Sequence, residues 1–145
     1  HPVSVSAKNL KPSKTTKDDL ENMVVTITYS NGSIGNLLYL TQGDNKVPKE
    51  YIEVFGGGIT LQLENFERLQ VFAEGKLKTI KGGNIDKGQK DEMKTFVDAI
   101  KNSTEMPISV DSLLDTTLVT LAAALSATTN RTINLEEFWN TTQEE

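Results

Sequence analysis

The stretch "NMVVTITYSNGSIGNLLYLT", Asn22 to Thr41, limits the fold more than any other part of this 145-residue chain. Two runs rich in apolar and β-branched residues flank "SNGS", and such runs on either side of Asn-Gly close on one another as an antiparallel hairpin. The pattern predicts positive φ at both Asn31 and Gly32, in a tight primed turn. Alternation would set Met23, Val25, Ile27 and Tyr29 on one face and Val24, Thr26 and Thr28 on the other, leaving the second face only half polar.

The same grammar recurs. "YIEVF" runs through Gly56, Gly57 and Gly58 into "ITLQLEN", and "RLQVFAEGKLKTI" turns back at Glu74-Gly75. With "VSVSA" at the start, about seven strands are expected, on connections too short for the crossovers that parallel neighbours require. The three glycines raise the question of a phosphate loop. A dinucleotide fingerprint needs G-x-G-x-x-G between a strand and the N-terminus of a helix, whose N–H groups hold the pyrophosphate. Here a strand, Ile59 to Leu63, comes next, and no Gly-Lys-Ser/Thr follows, so the glycines read as a reversal in which positive φ carries no steric cost.

Helical periodicity starts after Lys81. "GGNIDKGQ" is a loop in which Asp86, with Gln89 three residues on, has the form of a capping box. Met93, Phe96, Val97 and Ile100 make the apolar stripe of a first helix. Ser109 is placed to cap a second helix, in which Leu114, Leu118, Leu121 and Leu125 form the stripe and which Asn130 closes in a left-handed turn. The acidic end, 143–145, is expected to fray. The class is therefore α+β: an open, mainly antiparallel sheet of about six or seven strands, with two C-terminal helices packed on one face, in a single domain spanning 1–145.

Composition narrows the functions. A net charge of -5, from 20 acidic and 15 basic residues, argues against the basic face that nucleic acid demands. The chain has no cysteine, which removes thiolate nucleophiles and zinc–thiolate sites and fits a reducing compartment such as the cytoplasm. Its single histidine is the terminal His1, so neither an imidazole metal set nor a Ser-His triad confined to this chain is expected. The longest apolar stretch, Leu118 to Ala127, is interrupted by Thr120 and Ser126 and reads as too short for a bilayer, so no membrane partner is expected. Asn31, Asn102, Asn130 and Asn140 head N-x-S/T sequons, which are glycan acceptors in a secreted protein and otherwise asparagines suited to turns and helix ends. Carboxylate pairs offer little. Glu50 and Glu53 would point to opposite faces of a strand, while Asp111 and Asp115 share a helix start where the macrodipole favours acids. From the residues alone no catalytic, cofactor-binding or metal-ligating residue is assigned.

The succession of pieces says more. "PVSVSA", "ENMVVTITYSNGSIGNLLYL", "EYIEVFGGGITLQLENFERLQVF", "KGQKDEMKTFVDAI" and "PISVDSLLDTTLVTLAAALSA" together resemble the C-terminal domain of the Gfo/Idh/MocA (glucose-fructose oxidoreductase/inositol dehydrogenase) family, from Pro2 to about Leu135. The resemblance implies a larger parent polypeptide whose N-terminal Rossmann domain binds NAD or NADP and holds the Glu-Lys-Pro lysine and Asp/His helix ahead of residue 1. This chain would be the substrate-binding and oligomerisation domain of an oxidoreductase acting on a sugar or cyclitol, inactive alone and without cofactor. Lys87, at the loop-to-helix entry, would then lie near the substrate, although the residue by itself reads more readily as a solvated lysine at a helix start. The resemblance also implies a homo-oligomer built through the sheet, with Met23, Val25, Ile27, Leu37 and Tyr39 as sheet-face candidates and the meeting face left open. Covering both faces would explain the poor polar alternation of the strands. The alternative is a non-catalytic β-sheet module that self-associates.

Overall fold

The computed structural model describes residues 1–10, 22–83 and 85–142; the acidic end, 143–145, lies outside them. In chain order the elements are β1 (Pro2–Asn9), β2 (Met23–Tyr29), β3 (Ile34–Tyr39), β4 (Tyr51–Gly56), β5 (Ile59–Glu64), β6 (Arg68–Ala73), β7 (Lys76–Lys81), α1 (Gln89–Asn102), α2 (Val110–Thr129), β8 (Ile133–Asn134) and α3 (Leu135–Thr142). The class is α+β with open antiparallel sheets, as expected. The strands divide into two sheets of four, ordered β3-β2-β1-β8 and β4-β5-β6-β7, where the sequence suggested one sheet. Each sheet belongs to a separate compact unit, one made of His1–Gly43 and Ile108–Glu145, the other of Asp44–Pro107.

In the first unit the β2–β3 hairpin forms where Asn31-Gly32 placed it, but its turn differs. Gly32 donates its N–H to Tyr29 O at 2.9 Å and Tyr29 donates to Ser33 O at 3.0 Å, closing a three-residue loop. Only Gly32, at φ 83°, takes the left-handed position. Asn31 instead accepts the Ser33 N–H on Oδ1 at 3.0 Å, so its side chain, and not its own backbone, makes the turn. At the other end of the hairpin the buried Asn22 accepts the N–H groups of Thr41 and Gln42 at 2.8 and 3.2 Å.

The register aligns Val5 with Ile27 and Ala7 with Val25, and α2 packs over this face. Val5, Ala7, Val25, Ala122, Ala123, Ala127 and Leu135 form the core, with Leu118, Val119 and Phe138 against it. The face of α2 that meets the sheet is thus its alanine side, while Leu114, Leu121 and Leu125 of the expected stripe are exposed. Small residues bring the helix close enough for Ser126 Oγ to accept the Ala7 N–H at 2.8 Å and donate to Arg131 O at 2.6 Å. A leucine stripe in the same place would hold the backbones apart. Because α2 is apolar almost all round, periodicity does not distinguish its two faces.

The ends of α2 follow the sequence: Ser109 Oγ accepts the Ser112 N–H at 3.2 Å, and Asn130 closes the helix at φ 58°. Its length is greater than the apolar run implied. At 20 residues, α2 passes by length and composition as a membrane-crossing helix, a test that the core helix of a globular protein also passes.

The second unit is a meander whose two tightest turns are the predicted ones. Gly56 pairs with Ile59, so Gly57 and Gly58, at φ 56° and 76°, form the whole loop. Glu74 and Gly75 do the same between Ala73 and Lys76. The capping box does not form. Asp86 Oδ1 accepts the Gly88 N–H at 2.9 Å inside the loop, and α1 starts from Gly88 in a left-handed conformation with no side-chain cap. Met93, Phe96, Val97 and Ile100 of α1 are exposed, and of that helix only Ala99 is buried.

Candidate functional site

Three places in the molecule gather chemistry. The first is a cleft of about 390 Å³ in the first unit, walled by Ile27 and Val119 and rimmed by Tyr29, Ser112, Asp115 and His1. The His1 Nδ1 and Asp115 Oδ2 atoms are 2.7 Å apart. Polar groups over an apolar floor can bind and orient a small polar molecule.

The second surrounds Lys87. Its ammonium pairs with the Glu50 carboxylate and stands 5.8 Å from the centre of the Phe66 ring, so it is held and not free in solvent. Glu50 is fixed in turn, because its carbonyl accepts the Asn65 N–H at 2.7 Å. Asn65 and Phe66 both take positive φ, 47° and 58°, where a side chain costs roughly 1 kcal/mol or more. Among the described residues the buried Oε2 of Glu50 has no hydrogen-bond donor, which leaves an acceptor beside a cation and an aromatic face.

The third is a sheet face, a question the sequence left open. Met23, Val25 and Ile27 share a face with their partners Tyr39, Leu37 and Gly35, so the five named candidates do lie together. That face is the one α2 covers: Val25 is core, Met23 and Ile27 pack against the core, and only Leu37 and Tyr39 are exposed. The opposite face carries Ser4 and Thr28, whose hydroxyls are 2.6 Å apart, and Thr26, which donates to Asn36 at 2.8 Å. In the β4–β7 sheet, by contrast, Ile52, Val54, Leu61, Leu63, Leu69 and Val71 fall on one face by register, with Ile52 and Val54 exposed. Reading strands one at a time missed this patch. The alternation of "ITLQLEN" and "RLQVFA", superposed through the two turns, would have revealed it. On the other face the Tyr51 hydroxyl donates to Glu53 at 2.7 Å, and this bond to the carboxylate, with some burial and the nearby charges of Glu53 and Glu64, pushes the phenol's pKa up.

Among the described residues no group of three or more His, Asp or Glu is placed to hold a metal ion.

This fold matches part of several solved oxidoreductases. An oxidoreductase from Agrobacterium radiobacter, solved with NAD+, L-tartaric acid and magnesium, matches 94% of this chain at a TM-score of 0.75 and 16% identity. Levoglucosan dehydrogenase, solved with NADH and L-sorbose, matches 92% at 0.74 and 18% identity. Aldose-aldose oxidoreductase from Caulobacter crescentus, solved with glycerol, matches 92% at 0.73 and 14% identity. The chain spans only 44, 44 and 41% of these three proteins. No family model matches the chain, and no curated protein matches it by sequence.

Proposed function

We propose that this chain is the C-terminal, substrate-binding and oligomerising domain of a larger NAD(P)-dependent oxidoreductase that acts on a sugar or cyclitol. The observation that carries this reading is the asymmetry of the structural match: nearly all of this chain corresponds to less than half of oxidoreductases solved with NAD+ or NADH. In the parent, an upstream Rossmann domain holds the nicotinamide and the catalytic groups, and this chain contributes the wall against which the sugar is held. The cysteine-free composition supports a cytoplasmic parent.

Lys87 is the side chain assigned to the substrate. Its ammonium and the unsatisfied oxygen of Glu50 supply a donor and an acceptor for sugar hydroxyls, and the Phe66 ring beside them offers an apolar face. In the parent, Lys87→Met is expected to raise KM for the sugar about tenfold while kcat stays within about twofold, the signature of lost uniform binding. Steady-state kinetics with an unchanged KM would remove Lys87 from the site.

Self-association is assigned to the apolar face of β4–β7, since a contiguous apolar patch of this kind is characteristic of an interface. Light scattering of the chain is expected to show a dimer or larger species, and Val54→Lys, at an exposed position, to return it to monomers. A chain that is strictly monomeric at high concentration would contradict this assignment.

A further inference from the structure

Lys87 does not present a free positive charge. Glu50, a residue of the same compact unit, holds its ammonium in an ion pair whose side chains are only 35 and 30% exposed, so water screens the pair incompletely. The Phe66 ring stands beside the same ammonium at 5.8 Å. On the turn that carries Phe66, Arg68 Nε is bonded to Glu64 at 3.0 Å, so that cation is neutralised too. Glu67, which accepts from Asn65 Nδ2 at 3.3 Å, adds a negative charge.

The other feature here that attracts anions is also closed. α1 begins at Gln89, two residues after Lys87, and the N–H groups and dipole of a helix start draw negative groups. Asp86 already occupies that position, since its Oδ1 accepts the Gly88 N–H at 2.9 Å, and Asp91 and Glu92 lie in the first turn. A carboxylate or phosphate brought to Lys87 would approach a corner where each attraction is matched by a resident carboxylate, and like charges repel. A hydroxyl differs in kind. It can donate to Glu50 Oε2, the buried oxygen without a donor among the described residues, and accept from the ammonium, whereas an ionised carboxylate oxygen only accepts.

We infer that Glu50 is the specificity-determining residue of this site: by cancelling the charge of Lys87, it makes the site select an uncharged polyhydroxy substrate and reject the matching sugar acid or sugar phosphate. The inference rests on the assignment of Lys87 to the substrate made above.

The test is steady-state kinetics of the parent polypeptide with saturating nicotinamide cofactor and matched substrates. The pairs are D-glucose with D-glucuronate, D-galactose with D-galacturonate, and myo-inositol with myo-inositol 1-phosphate. In each pair that the parent oxidises, kcat/KM for the neutral member is expected to exceed that for the anion by at least about tenfold. E50Q keeps the shape of the side chain and removes its charge, and is expected to raise the anion-to-neutral ratio of kcat/KM about tenfold or more. K87Q leaves the carboxylate unopposed and is expected to lower that ratio. A purely structural role for the pair would not move the two ratios in opposite directions. A wild-type preference for the anion, or an unchanged ratio in E50Q, would overturn the inference. If circular dichroism shows E50Q misfolded, K87Q decides alone, and a ratio that stays the same or rises overturns it. A parent in which Lys87→Met raises KM but E50Q leaves the ratio unchanged defeats only this inference. An unchanged KM in Lys87→Met defeats the assignment of Lys87 and this inference with it, and a parent that oxidises no member of any pair defeats the sugar or cyclitol reading as well.

Discussion

Replacing Ser126 with alanine is expected to lower the unfolding free energy by about 2–4 kcal/mol, a large fraction of what holds a chain of this size together. The serine is 1% exposed. Its hydroxyl both accepts from the Ala7 N–H of β1 and donates to the Arg131 carbonyl just beyond the end of α2. Alanine fits the space but leaves the buried Ala7 N–H without a partner, a desolvation penalty of about 1–3 kcal/mol, and gives up the part-buried bond to the Arg131 carbonyl, worth about 1 kcal/mol. Urea unfolding with an unchanged slope and a lower midpoint would report this loss directly. Thr120→Ala is the control, since the Thr120 hydroxyl bonds back to the carbonyl of Thr116 on an exposed side of the same helix, and it is expected to change stability by less than about 0.5 kcal/mol. Equal effects of the two substitutions would show that Ser126 does not link α2 to the sheet.

The contrast between these two hydroxyls also shows what the sequence could and could not disclose. Strand positions were legible because alternation and turn chemistry are local: Gly57-Gly58 and Glu74-Gly75 fall in the loops where positive φ is needed. Ser109 and Asn130 marked the ends of α2 for the same reason, since caps act within one turn. Which side of α2 packs was not legible. Alanines and leucines are both apolar, and the choice depends on how near the helix must come to β1, a distance set by partners more than a hundred residues away in sequence. Asp86 failed as a cap through local competition, because its carboxylate is drawn to the Gly88 N–H two residues on. Of the candidate site, Lys87 was legible as a position but not as a group held between Glu50 and Phe66, whose strained backbone no pattern of residue types announces. The apolar face of β4–β7 was hidden in plain alternation, since it emerges only when three strands are brought into register.

The isolated chain is expected to bind neither NAD nor NADP. Holding a dinucleotide requires a glycine turn that lets the pyrophosphate reach the backbone N–H groups at a helix N-terminus. The three consecutive glycines of this chain, Gly56 to Gly58, lead from β4 into β5 and so deliver the chain to a strand instead. The parent polypeptide, with the segment that precedes His1, is expected to bind one of the two nucleotides with a dissociation constant in the micromolar range, corresponding to about 6–8 kcal/mol. Calorimetric titration of NADH and NADPH into the parent and into the isolated chain tests the central claim most directly. The account predicts saturable micromolar binding by the parent and no heat above dilution from the chain. Saturable binding by the chain itself, or a parent that binds neither nucleotide, would contradict it.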